Sequence, residues 1–108
     1  MSYWISLNDE NNEILPVPRF VEGGTYAIGG SEEADLNVTY NYANSFDFRG
    51  LQGRTGAETE SELHKAVKRL GDNPDPNYWA DTPGNAGHAC VILWRWARQH
   101  PQGRWNVN

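Results

Sequence analysis

The sequence predicts an α+β fold: one domain over residues 1–108, with a small, mostly antiparallel sheet of about four strands and two C-terminal helices packed on one face. Two observations carry this expectation. The stretch Leu36-Asn37-Val38-Thr39-Tyr40-Asn41-Tyr42 alternates with a period of two, the pattern of a half-buried strand. Segments with helical start signals and helical apolar spacing occur only after it.

Taken in order, Tyr3-Trp4-Ile5-Ser6-Leu7 also alternates and reads as a strand, with Tyr3, Ile5 and Leu7 on one face. Asn8 to Asn12 is a cluster of turn-forming residues. Glu13 to Pro18 reads as a second strand, pairing with the first as a hairpin. Its prolines donate no ladder hydrogen bond, which confines it to an edge. Thr25 to Ile28 reads as a short strand between the pairs Gly23-Gly24 and Gly29-Gly30, and it can pair with Leu36–Tyr42 through the loop Gly29–Asp35. Residues 43–57 show no period and read as a loop anchored by Phe46 and Phe48.

Thr59-Glu60-Ser61-Glu62 matches a capping box and places a helix start at Thr59. Leu63, Ala66, Val67 and Leu70 then recur at helical spacing, and Gly71 is the stop. Thr82-Pro83 opens a second helix, which runs to about Gln99. Ala86, Ala89, Cys90, Leu93, Trp96 and Ala97 fall on one arc of it, and the width of that arc predicts the more buried of the two helices. The end, Gly103-Arg104-Trp105, reads as a tail pinned by Trp105.

The net charge is −5 and lies unevenly: residues 1–50 hold eight acids and two bases, residues 51–108 six acids and seven bases. An acidic half argues against general nucleic-acid binding, which needs a basic face. One cysteine, Cys90, excludes an internal disulfide and suits the cytosol. No apolar run is long enough to span a membrane, and Met1-Ser2-Tyr3-Trp4 shows no signal peptide.

Three constellations bear on function. The helix start at Thr82-Pro83-Gly84-Asn85 offers free N–H groups, a close backbone approach at Gly84 and an amide at Asn85, which together suit an anion; an ordinary helix cap reads the same way. Asn37, Thr39 and Asn41 make a polar strand row that needs either water or a ligand. Trp4, Tyr40, Tyr42, Tyr78 and Trp79 supply rings for a flat ligand, or for the core. Catalytic signals are weaker. His64, His88 and His100 have no metal-ligand spacing, His88 and Cys90 do not face each other on a helix, and no phosphate-loop or dinucleotide motif occurs.

Several of these stretches, taken together, resemble a family of small uncharacterised proteins carried by phages and prophages. They are Tyr3 to Leu7, Gly23-Gly24-Thr25-Tyr26-Ala27-Ile28-Gly29-Gly30, Leu36 to Tyr42, Tyr78-Trp79, Gly84-Asn85-Ala86, and His100-Pro101 with Gly103 and Trp105. The resemblance covers most of the chain. It implies a role in the infected cell, such as countering host defence, modifying the host or serving the virion, and it carries no activity.

The sequence therefore points to a non-enzymatic, anti-defence binding protein of the host cytosol that holds a small anionic or nucleotide-like ligand. Asn37, Thr39, Tyr40, Asn41, Trp79, Gly84 and Asn85 are the expected ligand residues, and no cofactor, metal or membrane is expected. The alternative is a protein-binding inhibitor of a host defence complex that uses the acidic N-terminal half. A small hydrolase or transferase comes third, because no nucleophile–base pair is legible.

Overall fold

The structure is a computed structural model, and it describes residues 1–18, 26–27 and 32–108. The order is β1 (Ser2–Asn8), β2 (Tyr26–Ala27), β3 (Asp35–Thr39), α1 (Gly56–Leu70), α2 (Pro83–Gln99) and β4 (Arg104–Val107). The protein is α+β with an antiparallel sheet and two helices. The sheet order is β2-β3-β1-β4, so the first strand is central, and the outermost β2 has two residues.

Which segments form the sheet differs from expectation. Glu13–Pro18 is not a strand. It folds back beside β1 through Leu15 N–H to the Leu7 carbonyl (2.9 Å) and an isolated bridge between Asn8 and Ile14. Pro16 and Pro18 have no N–H to extend a ladder. The fourth strand is instead the segment read as a tail, β4, which pairs with β1 at Ile5–Val107 and Leu7–Trp105. The central stretch Leu36–Tyr42 is strand only to Thr39. The Thr39 hydroxyl accepts the Asn41 N–H at 3.2 Å and turns Tyr40–Tyr42 into a 3-10 turn. The expected strand at Thr25–Ile28 survives, among the described residues, as Tyr26–Ala27 paired with Asn37 and Leu36. Both Gly-Gly pairs, with Thr25 and Ile28, lie outside the described residues.

Alternation puts the apolar side chains of the sheet on one face, while Ser6, Asn8 and Thr39 on the other face are buried too. Tyr3, Ile5 and Leu7 of β1, Leu36 and Val38 of β3, and Trp105 and Val107 of β4 are buried. They form one core with Leu63 and Ala66 of α1 and Ala86, Ala89, Ile92 and Leu93 of α2. Burial of a Leu or Ile side chain contributes about 1.5–3 kcal/mol, so this shared core carries the fold. Phe46 and Phe48 belong to it too, and their rings meet edge to face at 5.0 Å. They anchor a segment that contains a second 3-10 turn, Phe48–Leu51.

The first helix begins four residues earlier than its strongest-looking signal. Thr-x-x-Glu occurs twice, and the cap that forms is Thr55 with Glu58: Glu58 N–H donates to Thr55 Oγ1 (3.1 Å), and Thr55 N–H donates to Glu58 Oε1 (2.8 Å). Hydrogen bonding of the Glu58 carboxylate to the Thr55 backbone N–H, and then to the Thr55 side chain, holds that carboxyl below its ordinary value. Thr59 is inside the helix and buried, where its hydroxyl accepts Trp105 Nε1–H at 2.7 Å and so pins β4. The second helix runs from Pro83 to Gln99 with Thr82 as its cap.

Candidate functional site

The residues expected to hold an anion at the start of α2 hold the loop before it instead. Asn85 is 0% exposed. Its Oδ1 accepts the Asp75 N–H at 2.8 Å, and its Nδ2 donates to the carbonyls of Asn77 (3.1 Å) and Ala80 (2.9 Å). Its own N–H donates to the Thr82 hydroxyl at 3.2 Å. An asparagine at this place substitutes for a run of missing backbone partners across residues 75–80. The open space expected at Gly84 is occupied as well: a β-carbon there would lie 2.1 Å from the Asn73 carbonyl oxygen. Gly84 is required by the chain's own loop.

The same loop gathers two further expected residues. Asn41 Nδ2 donates to the Trp79 carbonyl at 2.7 Å, and the Tyr42 hydroxyl donates to the Tyr78 carbonyl. Burial, with the neighbouring Tyr78 hydroxyl, pushes the Tyr42 phenol up to about 12. The Trp79 indole is 50% exposed and lies against Tyr78, with centroids 4.7 Å apart. Asn41, Trp79, Gly84 and Asn85 are thus brought together around one loop, with their polar contacts directed into it.

Asn37, Thr39 and Tyr40 do not join them. The expected polar row is interrupted: Thr39 is buried as a cap, and Asn41 has left the sheet. Tyr40 packs edge to face on Tyr3 at 4.6 Å. Asn37 stands directly opposite Trp4 and donates to Ser2 Oγ at 2.7 Å. It lies on the face of β3 opposite to Leu36 and Val38, away from the core that contains α2.

That face lies opposite the core and is the open face of the sheet among the described residues. Its central strand presents Ser2, Trp4, Ser6 and Asn8. Asn37 and Asp35 stand across from Trp4 and Ser6 on β3, and Asn106 and Arg104 stand across from Ser6 and Asn8 on β4. A shallow cavity of about 400 Å³ lies over it, lined by Trp4, Ser6, Asn8, Asp35 and Asn106, with Asn12 and Ile14 also on its wall. Trp4 is 48% exposed. Asn8 is 6% exposed; its Nδ2 donates to Asn12 Oδ1 at 3.0 Å, and its Oδ1 is buried with no hydrogen-bond partner among the described residues. Exchanging the two amide atoms would move the deficit from acceptor to donor without removing it. Burial, and then the charge of Glu33, raise the Asp35 carboxyl above its ordinary value. Asp35 makes no ion pair among the described residues.

Sequence reasoning reached Trp4 and Asn37 on this face and missed Ser6, Asn8, Asp35 and Asn106. The available signal was alternation: Ser2, Trp4, Ser6 and Asn8 are the polar phase of the first strand, and Arg104-Trp105-Asn106-Val107 alternates in the same way.

The groups with chemical reactivity lie elsewhere and apart. Cys90 is buried, and burial pushes its thiol up to about 12. His88 is 4% exposed because α2 is enclosed almost all round from Asn85 to Leu93; its Nδ1 lies 2.7 Å from Asp72 Oδ1. The His64 ring stacks on Trp94 with centroids 4.6 Å apart, and His100 Nε2 lies 2.7 Å from the Pro16 carbonyl oxygen. Among the described residues, no cluster of three or more His, Cys, Asp or Glu is placed to hold a metal, and no helix is long and apolar enough to cross a membrane. Comparison with family models, curated proteins and solved structures finds no match to this chain.

Proposed function

We propose that the protein is a non-enzymatic binding domain that docks a partner protein on the open face of its sheet, most of which comes from its acidic N-terminal half. The observation that carries this reading is the exposed Trp4 on a sheet face where the buried Asn8 Oδ1 has no hydrogen-bond partner among the described residues. An exposed aromatic beside unsatisfied polar groups is the composition of a binding hot spot. Met1 and Ile14 add exposed apolar surface near it, and Asp9, Glu10, Glu13, Glu33 and Asp35 add negative charge. Such a surface favours a basic partner, with an association that weakens as salt rises. In the phage-type setting that the resemblance implies, the partner would belong to a host defence complex.

A nucleotide-like ligand is the second reading. It is favoured by Asn37 beside Trp4, since a ring could stack on the indole and pair with the amide. Native mass spectrometry of the protein purified from its host separates the two. A retained protein subunit supports docking, and a retained small molecule supports the second reading.

A further inference from the structure

The open face carries one acceptor-only group, the Asp35 carboxylate, among amides and hydroxyls that both donate and accept, and it is poor in cations. Its one basic group among the described residues, Arg104, is at the far end of the face and donates to the Gly53 carbonyl. Among the described residues Asp35 makes no ion pair, and Ser6 stands directly across from it. A phosphate or carboxylate brought here would be repelled by the Asp35 carboxylate and its oxygens. A donor-rich cation would complete them.

The register places an aromatic platform at the right distance. Trp4 is opposite Asn37 and Ser6 is opposite Asp35, so Trp4 and Asp35 are diagonal neighbours on one face. Such pairs lie about 7–8 Å apart, the span of a planar group stacked on one and edge-bonded to the other. An ammonium is a point charge with three donors and no plane. A guanidinium is planar, stacks on indole, and carries five N–H donors in a fork that fits a carboxylate.

We propose that this concavity receives a guanidinium group, the side chain of an arginine on the partner protein, stacked on the Trp4 indole and hydrogen-bonded to the Asp35 carboxylate. The proposal rests on the docking reading above and names what is docked.

The test is a titration of the ¹⁵N-labelled protein with three capped tripeptides, Gly-Arg-Gly, Gly-Lys-Gly and Gly-citrulline-Gly, and with adenosine, followed by NMR. The arginine peptide should shift the Trp4 indole N–H and the backbone amides of Ser6, Asp35 and Asn106, and the citrulline peptide, which keeps the shape and loses the charge, should not. Asp35→Asn, an isosteric change, should weaken arginine binding by about tenfold, the loss of one charge-assisted pair. Trp4→Phe, which keeps a ring, should weaken it less than Trp4→Ala. Equal shifts with citrulline, no shifts on this face with arginine, or stronger binding of adenosine than of the arginine peptide would overturn the proposal. The two readings fail separately. A partner captured through Trp4 while the arginine peptide leaves the face unshifted would remove the guanidinium and keep the docking. An arginine-responsive face whose Trp4→Ala variant still captures the partner would remove the docking reading.

Discussion

Asn85 Oδ1 accepts the Asp75 N–H at 2.8 Å, so a side chain inside α2 holds the backbone of the loop that precedes it. With its two bonds to Asn77 and Ala80, Asn85 is a structural hub. Asn85→Ala should therefore cost about 2–3 kcal/mol of stability, the cost of leaving buried polar groups unpaired. Denaturant unfolding monitored by circular dichroism measures it. A variant as stable as wild type would return Asn85 to the role of a ligand residue.

Gly87 should be equally intolerant for a different reason. A β-carbon there would lie 1.7 Å from the Gly71 carbonyl oxygen and 3.1 Å from Leu70 Cβ, at the crossing of α1 and α2. Backbone cannot retreat as a flexible side chain can, so Gly87→Ala must part the helices and loosen the core between them. A fall in thermal midpoint of several degrees or loss of the folded state is expected, and an unchanged midpoint would refute the close crossing.

Asp35 gives a pH signature. Its folded-state carboxyl is raised above the ordinary 3.8 by burial and by Glu33. The folded protein therefore binds this proton more tightly than the unfolded chain, and stability falls as pH rises through the window from 3.8 to the raised value. Asp35→Asn removes the penalty. The variant should melt higher than wild type at neutral pH, and the difference should close as pH falls toward 3.8. A difference that is constant with pH would exclude this origin.

Cys90 is a small core residue whose thiol stays neutral at ordinary pH, because burial pushes it to about 12. Iodoacetamide should label it only on unfolding. Cys90→Ala should cost about 1 kcal/mol, in the range of small core truncations. Rapid labelling of the native protein would show the thiol to be accessible.

Much of the fold was legible because it rests on periodicity. Leu63, Ala66 and the arc from Ala86 to Ala97 mark both helices, and Tyr3, Ile5 and Leu7 mark the central strand. The failures have local causes. Thr55 and Thr59 both start a Thr-x-x-Glu pattern, and only packing against β4 decides that Thr59 is interior. Arg104 to Val107 alternates, but four residues are too few to mark a strand without their partner β1. The candidate site was less legible. Asn85 carries the side chain of a ligand residue and that of a loop hub alike, and sequence does not show where its hydrogen bonds go. Asn8 and Asn106 meet only through pairing across β1 and β4, a long-range property.

The central claim is that the open face of the sheet is the binding surface. It is tested most directly by quantitative mass spectrometry of proteins captured from the host cell by wild type, Trp4→Ala and Trp79→Ala. Trp4 and Trp79 are similarly exposed, at 48% and 50%, and Trp79 stands outside the open face. The account predicts a partner retained by wild type and Trp79→Ala and lost by Trp4→Ala. A partner retained by Trp4→Ala and lost by Trp79→Ala would contradict it and place binding at the loop around Asn85.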